Sequence, residues 1–462
     1  MRLLIMLNLF FLCCSVALAQ QDTTFTRAQG YKGIWFELGQ VSTYGDKYSG
    51  GLGTYTAKHR PLAIYDTTSN KTFFVYGGTT GKNEKHLQCM ISYYDHSDGK
   101  VPRPVVVYDK KGVDDPHDNP SLLIDDKGYL WVFVSGRGTA RMGYKYRSTE
   151  PYKIDTFKQV SREEMTYPQP WYVPQRGYFH FFTKYSGMRE LYFESSSDGH
   201  VWSKDRKLAG IKRPDDDQAG HYQISSRNGE RLATFFNWHP NGNVDRRTNL
   251  YYLETKDMGE TWQTSDHEQV SLPVSQVDHP ALVEEYFSKN QNVYLKDINF
   301  DHQGNPIALF IVSNGHKAGP DNGLRHWKIA HWNGESWRIH DVCTSDHNYD
   351  MGSLYVEEHF WWVIAPTASG PQPWGTGGDM VIWESSNRGE SWNKVMRVTG
   401  QSEYNHTYLR SPVNAHRDFY GFWADGDPGS FSSSRLYFMN KAGKVFPLPY
   451  EMDGSFKRIQ SE

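Results

Sequence analysis

The sequence predicts an all-β chain built from repeated hairpins, because short apolar strands alternate with polar turns and helical periodicity is almost absent. The pattern is clearest in three segments: PLAIYDTTSNKTFFVYGG from Pro61, PSLLIDDKGYLWVFVSG from Pro120 and DINFDHQGNPIALFIVSNG from Asp297. The turns carry Asp, Asn or Gly residues, which tolerate the positive φ angles of tight hairpins. Each segment is therefore expected to form two paired antiparallel strands.

A second recurrent motif is the Asp box, with the pattern Ser/Thr-x-Asp-x-Gly-x-Thr-Trp. The segment TKDMGETW from Thr255 fits it, SSNRGESW from Ser385 is a close variant, and SSDGHVW from Ser196 and WNGESW from Trp332 are degenerate copies. In this hairpin the Asp side chain binds turn amides, the Gly permits the bend and the Trp packs on the sheet. The last tryptophans of the four copies are 60, 75 and 55 residues apart, which indicates a repeated unit of several strands.

Repeats of about 60 residues with several strands per unit are typical of β-propellers. The mature part of this 462-residue chain accommodates about seven such units. We therefore predict that residues 20–462 form one domain, a single seven-bladed β-propeller with degenerate Asp-box (BNR) repeats. No linker or change of composition marks a second domain.

Residues 1–19 have the features of a secretory signal peptide. Arg2 gives a positively charged start, Leu3 to Val16 form an apolar run, and Ala17-Leu18-Ala19 is a small-residue cleavage site. No later segment approaches about 18 consecutive apolar residues. The mature protein is therefore expected to be secreted, periplasmic or extracellular, and to have no membrane span.

Composition excludes several functional classes. The formal net charge is −3 and no long run of one charge occurs, which argues against nucleic acid or an anionic membrane as a partner. The chain lacks His-Glu-x-x-His, Cys-x-x-Cys and Gly-x-Ser-x-Gly motifs, so no protein-bound metal is predicted. The chemistry is expected to require no cofactor, although a structural cation in the central channel and a Cys89–Cys343 pair both stay open.

The stretch KYSGGLGTYTAKHRPLAIY from Lys47 combines glycines with a histidine, His59, just before a predicted strand. The glycines do not fit a phosphate-binding loop, so they are expected to shape a tight loop at a propeller mouth. A proline at the first residue of a strand costs no ladder hydrogen bond. Similar proline starts recur in HDNPSLLI, TYPQPWYV, DHPALV and RSPVNA. If these starts are equivalent, the side chains before the prolines are expected to form a ring around one mouth of the central channel: His59, His117, Tyr167, His279 and Ser411.

Several polar residues near these strand starts can carry chemistry. His117 lies among the carboxylates of DDPHDNP, and Tyr167 can serve as an acid, a base or a stacking platform. Arginines suit a carboxylate ligand because the guanidinium binds it bidentately, and the candidates are Arg246, Arg247 and Arg325. The structural alternatives are a capped strand for the histidine, core packing for the tyrosine and salt bridges between blades for the arginines.

These residue types suit two reactions on an acidic sugar. In β-elimination a base removes the C5 proton of a uronate, an arginine neutralises the carboxylate and the C4 substituent leaves. Hydrolysis usually requires two carboxylates at a defined separation, and no convincing pair occurs at equivalent blade positions. Hydrolysis by this chain would therefore be unconventional.

Four segments resemble the BNR-4 group of secreted seven-bladed propellers: DDPHDNPSLLIDDKGYLWVFVSGRG, YPQPWYV, RRTNLYYLETKDMGETW and RHWKIAHWNGESW. The resemblance covers most of the mature chain, and the group includes the ulvan lyases of polysaccharide lyase families 24 and 25. Those lyases use a histidine in a motif like that at His117. They typically have a second histidine where this chain reads Gly136-Arg137-Gly138, so the chain departs from them there.

The segment from Gly33 to Tyr65 is more similar to glycoside hydrolase family 145. That resemblance implies an α-L-rhamnosidase that hydrolyses terminal L-rhamnose linked α-1,4 to D-glucuronic acid, as on arabinogalactan side chains, with His59 as the catalytic residue. The related polysaccharide lyase family 42 breaks the same linkage by elimination. For that alternative, His117 or Tyr167 is expected to be the base, and Arg246, Arg247 or Arg325 the neutralising group.

The glycine-rich stretch with its histidine is the most specific match, so hydrolysis is the favoured interpretation of the sequence. The expected partner is an oligosaccharide or polysaccharide with rhamnose-capped glucuronic acid. A non-catalytic glycan-binding propeller stays a second alternative, since fold alone does not fix function. A sialidase is disfavoured, because the spaced arginine triad with a Tyr–Glu pair is not found.

Overall fold

The computed structural model of the chain describes residues 25–81, 84, 86–185 and 188–460. Strands dominate this part of the chain, and its helices are four short 3-10 turns: Pro116–Asp118, Pro240–Gly242, Val244–Arg246 and Pro320–Asn322. The prediction of an all-β chain is confirmed. No helix among these residues is long and apolar enough to cross a membrane. The predicted signal peptide, residues 1–19, lies outside the described residues.

Seven antiparallel sheets of four or six strands follow one another through the described residues, and we number them in chain order. Sheet 1 contains Ala63–Asp66, Lys71–Gly78, Gln88–Asp95, Lys100–Pro102, Val105–Asp109 and Phe456–Arg458. Sheet 2 contains Pro120–Ile124, Leu130–Val134, Gly143–Ser148 and Phe157–Glu163. Sheet 3 contains Thr166–Val173, Gly177–Lys184, Glu190–Ser196 and Arg206–Ala209.

The remaining sheets repeat this up-and-down order. Sheet 4 contains Gln223–Asn228, Arg231–Trp238, Thr248–Thr255, Trp262–Gln263, Gln269–Val270 and Leu282–Glu284. Sheet 5 contains Asn292–Phe300, Pro306–Ser313, Arg325–Trp332 and Trp337–Ser345. Sheet 6 contains Ser353–Val356, Trp361–Ala368, Asp379–Ser385 and Asn393–Arg397. Sheet 7 contains Asn405–Arg410, Gly421–Gly426, Leu436–Met439 and Val445–Pro447.

The three hairpins predicted from the sequence are present. Each forms the first two strands of a sheet, with partners such as Ala63 and Phe74 in sheet 1, Pro120 and Val134 in sheet 2, and Phe300 and Pro306 in sheet 5. Every one of the seven sheets begins with an antiparallel pair, and most apolar residues of these pairs are buried.

The Asp boxes occupy the turn between the third and fourth strands of their sheets. In the copy from Thr255, the Asp257 carboxylate accepts a hydrogen bond from the Thr261 amide at 2.9 Å, and the Trp262 indole donates to the Gly259 carbonyl at 3.2 Å. The copies at Ser196 and Ser385 repeat the indole bond. The motif thus closes the hairpin with its own side chains and places a tryptophan beneath the turn.

Consecutive sheets pack face to face through apolar side chains. Val75 of sheet 1 and Val132 of sheet 2 share one buried cluster, and comparable clusters join the later sheets. Sheet 7 also packs against sheet 1, where the rings of Phe422 and Phe74 lie 5.2 Å apart. The core is therefore distributed between sheets, as expected for radially arranged units. Cys89 and Cys343 are both free, so they form no disulfide.

Short terminal segments strengthen the junction of sheets 1 and 7. The strand Gly33–Phe36 pairs with Ser433–Ser434 on one side and with Gly50–Gly51 on the other. The strand Phe456–Arg458 pairs with Lys100–Pro102 of sheet 1. The strands Gly33–Phe36, Gly50–Gly51 and Ser433–Ser434 form a small sheet outside the seven main ones. A separate small hairpin pairs Val41–Ser42 with Gly45–Asp46.

The glycines that follow Lys47 allow close packing between segments. A Cβ on Gly51 would lie 2.4 Å from the Cβ of Ala424, and a Cβ on Gly53 would lie 2.6 Å from Leu436, both in sheet 7. Real Cβ contacts are not that short, so these positions require the absence of a side chain. The glycine-rich stretch is therefore a packing element against sheet 7, as well as the support of the loop that follows it.

We predict that Gly51→Ala destabilises the protein by about 1–3 kcal/mol, because overpacking a dense interior forces backbone shifts. Urea unfolding of the variant and of the parent protein measures the difference. Gly400→Ala is the matched control, since the nearest atom to its new Cβ would be 3.6 Å away on the Arg397 side chain. Equal losses in the two variants would contradict the packing role of Gly51.

Candidate active site

A cavity of about 230 Å³ lies where the first strands of the sheets begin. Its lining is rich in tyrosine and in cationic side chains, and none of the described residues that line it is Asp or Glu. The ionisable cationic and imidazole groups in the lining are Lys58, His117, Arg137, Arg189, Arg247 and Lys296. The cavity therefore suits a ligand that is negatively charged and has flat apolar faces.

A ring of aromatic residues surrounds the cavity, and each of sheets 2 to 7 contributes one of them from its first strand or from the residues just before it. Its members are His117, Tyr167, Tyr222, Tyr294, Tyr349 and Tyr408. Two of them, His117 and Tyr167, were expected from the proline pattern.

Two other members of the predicted ring lie elsewhere. His279 precedes Leu282–Glu284, an additional strand of sheet 4, and Ser411 follows the first strand of sheet 7. The proline pattern is therefore wrong at these two positions, because a proline at a strand boundary does not identify which strand of a sheet it borders.

His117 lies in the short 3-10 turn Pro116–Asp118 that precedes sheet 2. The Asp115 carboxylate accepts from the His117 amide at 3.0 Å and also binds the Nδ1 atom of the imidazole. The second nitrogen, Nε2, remains for a ligand in the cavity that His117 lines. A carboxylate bound to one ring nitrogen fixes both the tautomer and the orientation of the imidazole.

Two arginines hold Asp115 in place. Arg137 donates to the Asp115 carboxylate at 2.8 Å, and Arg141 donates to Asp115 at 2.6 Å and to Asp118 at 3.0 Å. Burial would raise the pKa of Asp115, but the neighbouring His117 and Arg137 hold it well below its ordinary value. Asp115 therefore stays ionised. Arg137 occupies the position at which the sequence departs from the ulvan lyases, and it both lines the cavity and fixes this carboxylate.

Tyr167 lies at the centre of the aromatic contacts, with its backbone in the left-handed region at φ 55°. Its ring centroid is 5.5 Å from that of His59, 5.4 Å from that of His117 and 5.6 Å from that of Tyr222. The Tyr185 hydroxyl donates to the Tyr167 hydroxyl at 3.1 Å. Burial raises the pKa of Tyr167 well above its ordinary value, so this phenol remains protonated.

Tyr222 is surrounded by cations. Arg189 donates to its hydroxyl at 3.4 Å, and the Arg247 guanidinium lies 4.9 Å from its ring centroid. Burial opposes ionisation, yet Arg189, Arg247 and a hydrogen bond from Tyr167 together lower the pKa of Tyr222 to about 8. Tyr222 is thus a stronger acid than an ordinary tyrosine and still carries its proton at neutral pH.

Arg247 is fixed by the ring of tyrosines. Its guanidinium donates to the Tyr349 hydroxyl at 2.8 Å and to the Val244 carbonyl at 2.8 Å, and it lies 4.5 Å from the Tyr294 ring centroid. Because the hydrogen-bond partners of its donors among the described residues are neutral oxygens, its charge is available to an anionic ligand. Stacking against aromatic faces also holds the guanidinium plane in one orientation.

Two buried lysines contribute amino groups to the cavity wall. Lys58 donates to the Leu295 carbonyl at 3.1 Å and Lys296 donates to the Asn348 carbonyl at 2.7 Å. Burial lowers the pKa of Lys58 well below its ordinary value, and burial lowers the pKa of Lys296 to about 7. An anion in the cavity would favour the charged form of both groups.

His59, the leading candidate from the sequence, lies behind the cavity wall rather than in it. Its side chain is fully buried, its Nε2 atom is 3.2 Å from the His117 carbonyl, and its ring packs against Tyr167. Burial lowers the pKa of His59 to about 3, so its imidazole is neutral. These contacts suit a residue that positions His117 and Tyr167, whereas the catalytic role of His59 stays a prediction.

The other two arginines predicted from the sequence lie outside the cavity lining. Arg246 is exposed and its guanidinium lies 5.8 Å from the Phe287 ring centroid. Arg325 is fully buried and donates to the carbonyls of Lys317 and Gly319 at 2.7 and 3.3 Å. Both contacts are structural, so of the three candidate arginines the structure brings only Arg247 to the site.

Several cavity residues were not identified from the sequence. Tyr185 and Arg189 follow the second strand of sheet 3, and Tyr222 immediately precedes the first strand of sheet 4. Tyr222 occupies the same place in its sheet as His117 does in sheet 2. The recurrence of a tyrosine at the start of successive sheets is the signal that would have found it, but no proline marks this start.

Comparison with known proteins places these features in a family. The profile described as "BNR repeat-containing family member" matches residues 71–345, more than half of the chain. An ulvan lyase of Nonlabens ulvanivorans is 22% identical over 373 residues, which cover 73% of this chain and 76% of that protein. An ulvan lyase, PL25, of Pseudoalteromonas sp. (strain PLSV) is 24% identical over 260 residues, 48% of this chain and 51% of that protein.

Solved structures show a similar fold. A polysaccharide lyase PL25 ulvan lyase bound to -[GlcA(1-4)Rha3S]- has a TM-score of 0.71 at 16% identity, covering 90% of this chain and 96% of that chain. The polysaccharide lyase Uly1 has a TM-score of 0.62 at 12% identity, covering 90% of this chain and 98% of that chain. The fold and the profile match agree, and the chain belongs to the BNR-4 family of BNR repeat-containing proteins.

Proposed function

We propose that the protein is a secreted polysaccharide lyase that breaks the bond at C4 of a glucuronate residue by β-elimination. The observation that carries this proposal is the composition of the cavity lining, which combines cations, tyrosines and one imidazole with no carboxylate among the described residues. Elimination needs a base, a proton donor and a cation for the uronate carboxylate. All three kinds of group are within the lining.

Arg247 and Arg189 are the groups that we assign to the substrate carboxylate. Both line the cavity, both lie against Tyr222, and Arg247 has no carboxylate partner among the described residues. A guanidinium bound to the uronate carboxylate stabilises the negative charge that develops as the C5 proton leaves. The lysines at the cavity wall strengthen the same positive field.

His117 is the base in this assignment. With Nδ1 held by Asp115, its Nε2 atom has the lone pair that can accept the C5 proton, and the fixed ring orientation aims it into the cavity. The proton moves to Nε2, the C4–C5 double bond forms and the C4–O bond breaks. The charge gained by the imidazole is balanced by Asp115, which is ionised.

Tyr222 is the proton donor to the leaving oxygen. Its ring lies 5.6 Å from that of Tyr167, which in turn lies 5.4 Å from His117, so one sugar ring can span the base and the donor. A phenol with a pKa of about 8 is protonated at neutral pH and gives up its proton more readily than an ordinary tyrosine. After the products leave, His117 releases the proton that it gained and Tyr222 takes up a proton from solvent, which restores both groups.

The substrate class follows from the relatives and from the resemblance in the sequence. A solved relative is described as bound to a glucuronate–rhamnose repeat, and the sequence resembles enzymes that act on rhamnose linked α-1,4 to glucuronate. We therefore propose an oligosaccharide or polysaccharide in which rhamnose is attached to O4 of glucuronate. Elimination there yields rhamnose, or a chain that ends in it, together with an unsaturated uronate.

Hydrolysis, the favoured interpretation of the sequence, has less support in the geometry. Asp115 and Asp245, which contact residues of the cavity lining, are already paired with His117, Arg137 and Lys47. A conventional glycosidase places two carboxylates on either side of the scissile bond. The lyase alternative therefore accounts better for the residues present.

The sheet arrangement supports the predicted architecture. Three features are consistent with seven blades around one axis: seven consecutive sheets, the cluster between sheets 7 and 1, and a cavity residue in or just before the first strand of each of sheets 2 to 7. We propose that the chain is a seven-bladed propeller and that the cavity lies at one mouth of its central channel.

Loss of Arg247 is expected to abolish most activity. On a rhamnose-α-1,4-glucuronate oligosaccharide, Arg247→Met should lower kcat/KM by about 100-fold or more, since removing one preorganised charge-stabilising donor costs that much. The assay follows released rhamnose together with the ultraviolet absorbance of the conjugated double bond. Arg246→Met is the matched control and should remain within a few-fold of the parent enzyme. Equal effects of the two substitutions would contradict the assignment.

The dependence of kcat/KM on pH tests whether Tyr222 acts as a proton donor or as a base. Because the pKa of Tyr222 is lowered to about 8 in the free protein, the donor form is present below that pH and is lost above it. We expect kcat/KM to fall as pH rises through about 8, and Tyr222→Phe to lose about 100-fold or more in activity. Tyr404→Phe, outside the cavity lining, is the control. A kcat/KM that instead increases through this pH would make the phenolate the base and refute the assignment.

A further inference from the structure

We propose that His96, His416 and Asp418 form a zinc site that joins sheet 1 to the loop before the second strand of sheet 7. One ligand atom from each residue lies within 4.8 Å of the other two. His96 follows the strand Gln88–Asp95, while His416 and Asp418 precede Gly421–Gly426. None of the three lines the candidate active site, so the inference is independent of the proposed function.

The hydrogen bonds of His96 leave one ring nitrogen for a metal. Its Nε2 atom is 2.8 Å from the Thr72 hydroxyl, whereas its Nδ1 atom is buried and has no hydrogen-bond partner among the described residues. A buried polar atom without a partner is costly. When Nε2 donates to the Thr72 hydroxyl, Nδ1 carries a bare lone pair, and such a hydrogen bond from the other ring nitrogen is what orients metal-bound histidines.

His416 and Asp418 supply the other two ligands. The rings of His96 and His416 have their centroids 3.9 Å apart, and the His416 Nδ1 atom lies 3.7 Å from the Asp418 carboxylate. The Asp418 amide also approaches Nδ1 of His416 at 3.2 Å, which keeps the turn compact. Asp418 is exposed, so a water molecule has access to a fourth position.

The ligand types favour zinc over a hard cation. Two imidazoles and one carboxylate with a water molecule form a common tetrahedral zinc set, whereas calcium and magnesium prefer oxygen ligands throughout. The side chains of Tyr65 and Tyr94 pack edge-on against His96 and restrict the movement of its ring. Arg417, which lies 3.9 Å from the Asp418 carboxylate, is largely exposed and can move away.

The position of the site gives the metal a structural role. Residue Val413, in the same loop as His416, already forms a parallel bridge with Ile64 of sheet 1. A zinc ion would add a further connection between the first and last sheets of the chain. Because such a site is assembled only in the folded state, zinc binding should increase the stability of the folded protein.

The test is a calorimetric titration of the full-length mature protein with zinc chloride after treatment with a chelator. We expect one equivalent to bind and the thermal unfolding midpoint to rise. His96→Ala and His416→Ala should each weaken binding by about 100-fold or more, because even loss of an outer-shell partner costs about 10- to 100-fold. His359→Ala, at an exposed turn outside the cluster, is the control and should bind as the parent does.

Asp418→Asn guards against a folding defect, since it preserves the shape of an exposed side chain and removes its charge. It should fold normally, lose most of the zinc-dependent rise in midpoint and retain lyase activity. The cobalt-substituted parent protein should show the visible absorption bands of tetrahedral coordination. The proposal would be overturned if the parent protein bound no equivalent of zinc tightly, or if the histidine variants bound zinc with unchanged affinity.

Discussion

The arrangement of the site depends on one buried guanidinium, that of Arg410. It projects from the first strand of sheet 7 and donates to the carbonyls of Thr54, Thr56, Ala57 and His59. These bonds fix the loop that carries Lys58 into the cavity and His59 behind it. Burial lowers the pKa of Arg410 to about 9, so it remains charged at neutral pH and its charge is met by backbone dipoles. Without this anchor the cavity would lose one wall.

Like Arg410, most cations of the cavity lie among groups that are not carboxylates, since none of the described residues that line the cavity is Asp or Glu. Arg247 and Arg189 are held by tyrosine hydroxyls and backbone carbonyls, which position these cations without neutralising them. Folding has therefore left positive charge uncompensated in a partly desolvated site, where its interaction with a ligand is strong. A uronate carboxylate supplies the missing negative charge. In this account, substrate recognition and the stabilisation of the elimination transition state rely on one electrostatic feature.

Sequence patterns predicted the elements better than the site. The hairpins and Asp boxes are local, so turn residues and spacing identified them directly, and the proline starts led to His117 and Tyr167. The contacts that decide function are not local. The backbone of His59 is held by Arg410 from the far end of the chain, and the low pKa of Tyr222 depends on arginines from sheets 3 and 4. No spacing within a segment reports such encounters, so the sequence could not show that His59 lies behind the cavity wall while Tyr222 and Arg247 line it.

Product analysis in water labelled with heavy oxygen tests the central claim most directly. The protein is incubated with a rhamnose-α-1,4-glucuronate oligosaccharide, and the products are examined at once by mass spectrometry. Elimination breaks the C4–O bond without adding water, so we predict a uronate product lighter by one water molecule than the hydrolytic product, with no incorporated label. A saturated uronate accompanied by label at the anomeric carbon of rhamnose, beyond that introduced by exchange of free rhamnose, would show hydrolysis and contradict the account.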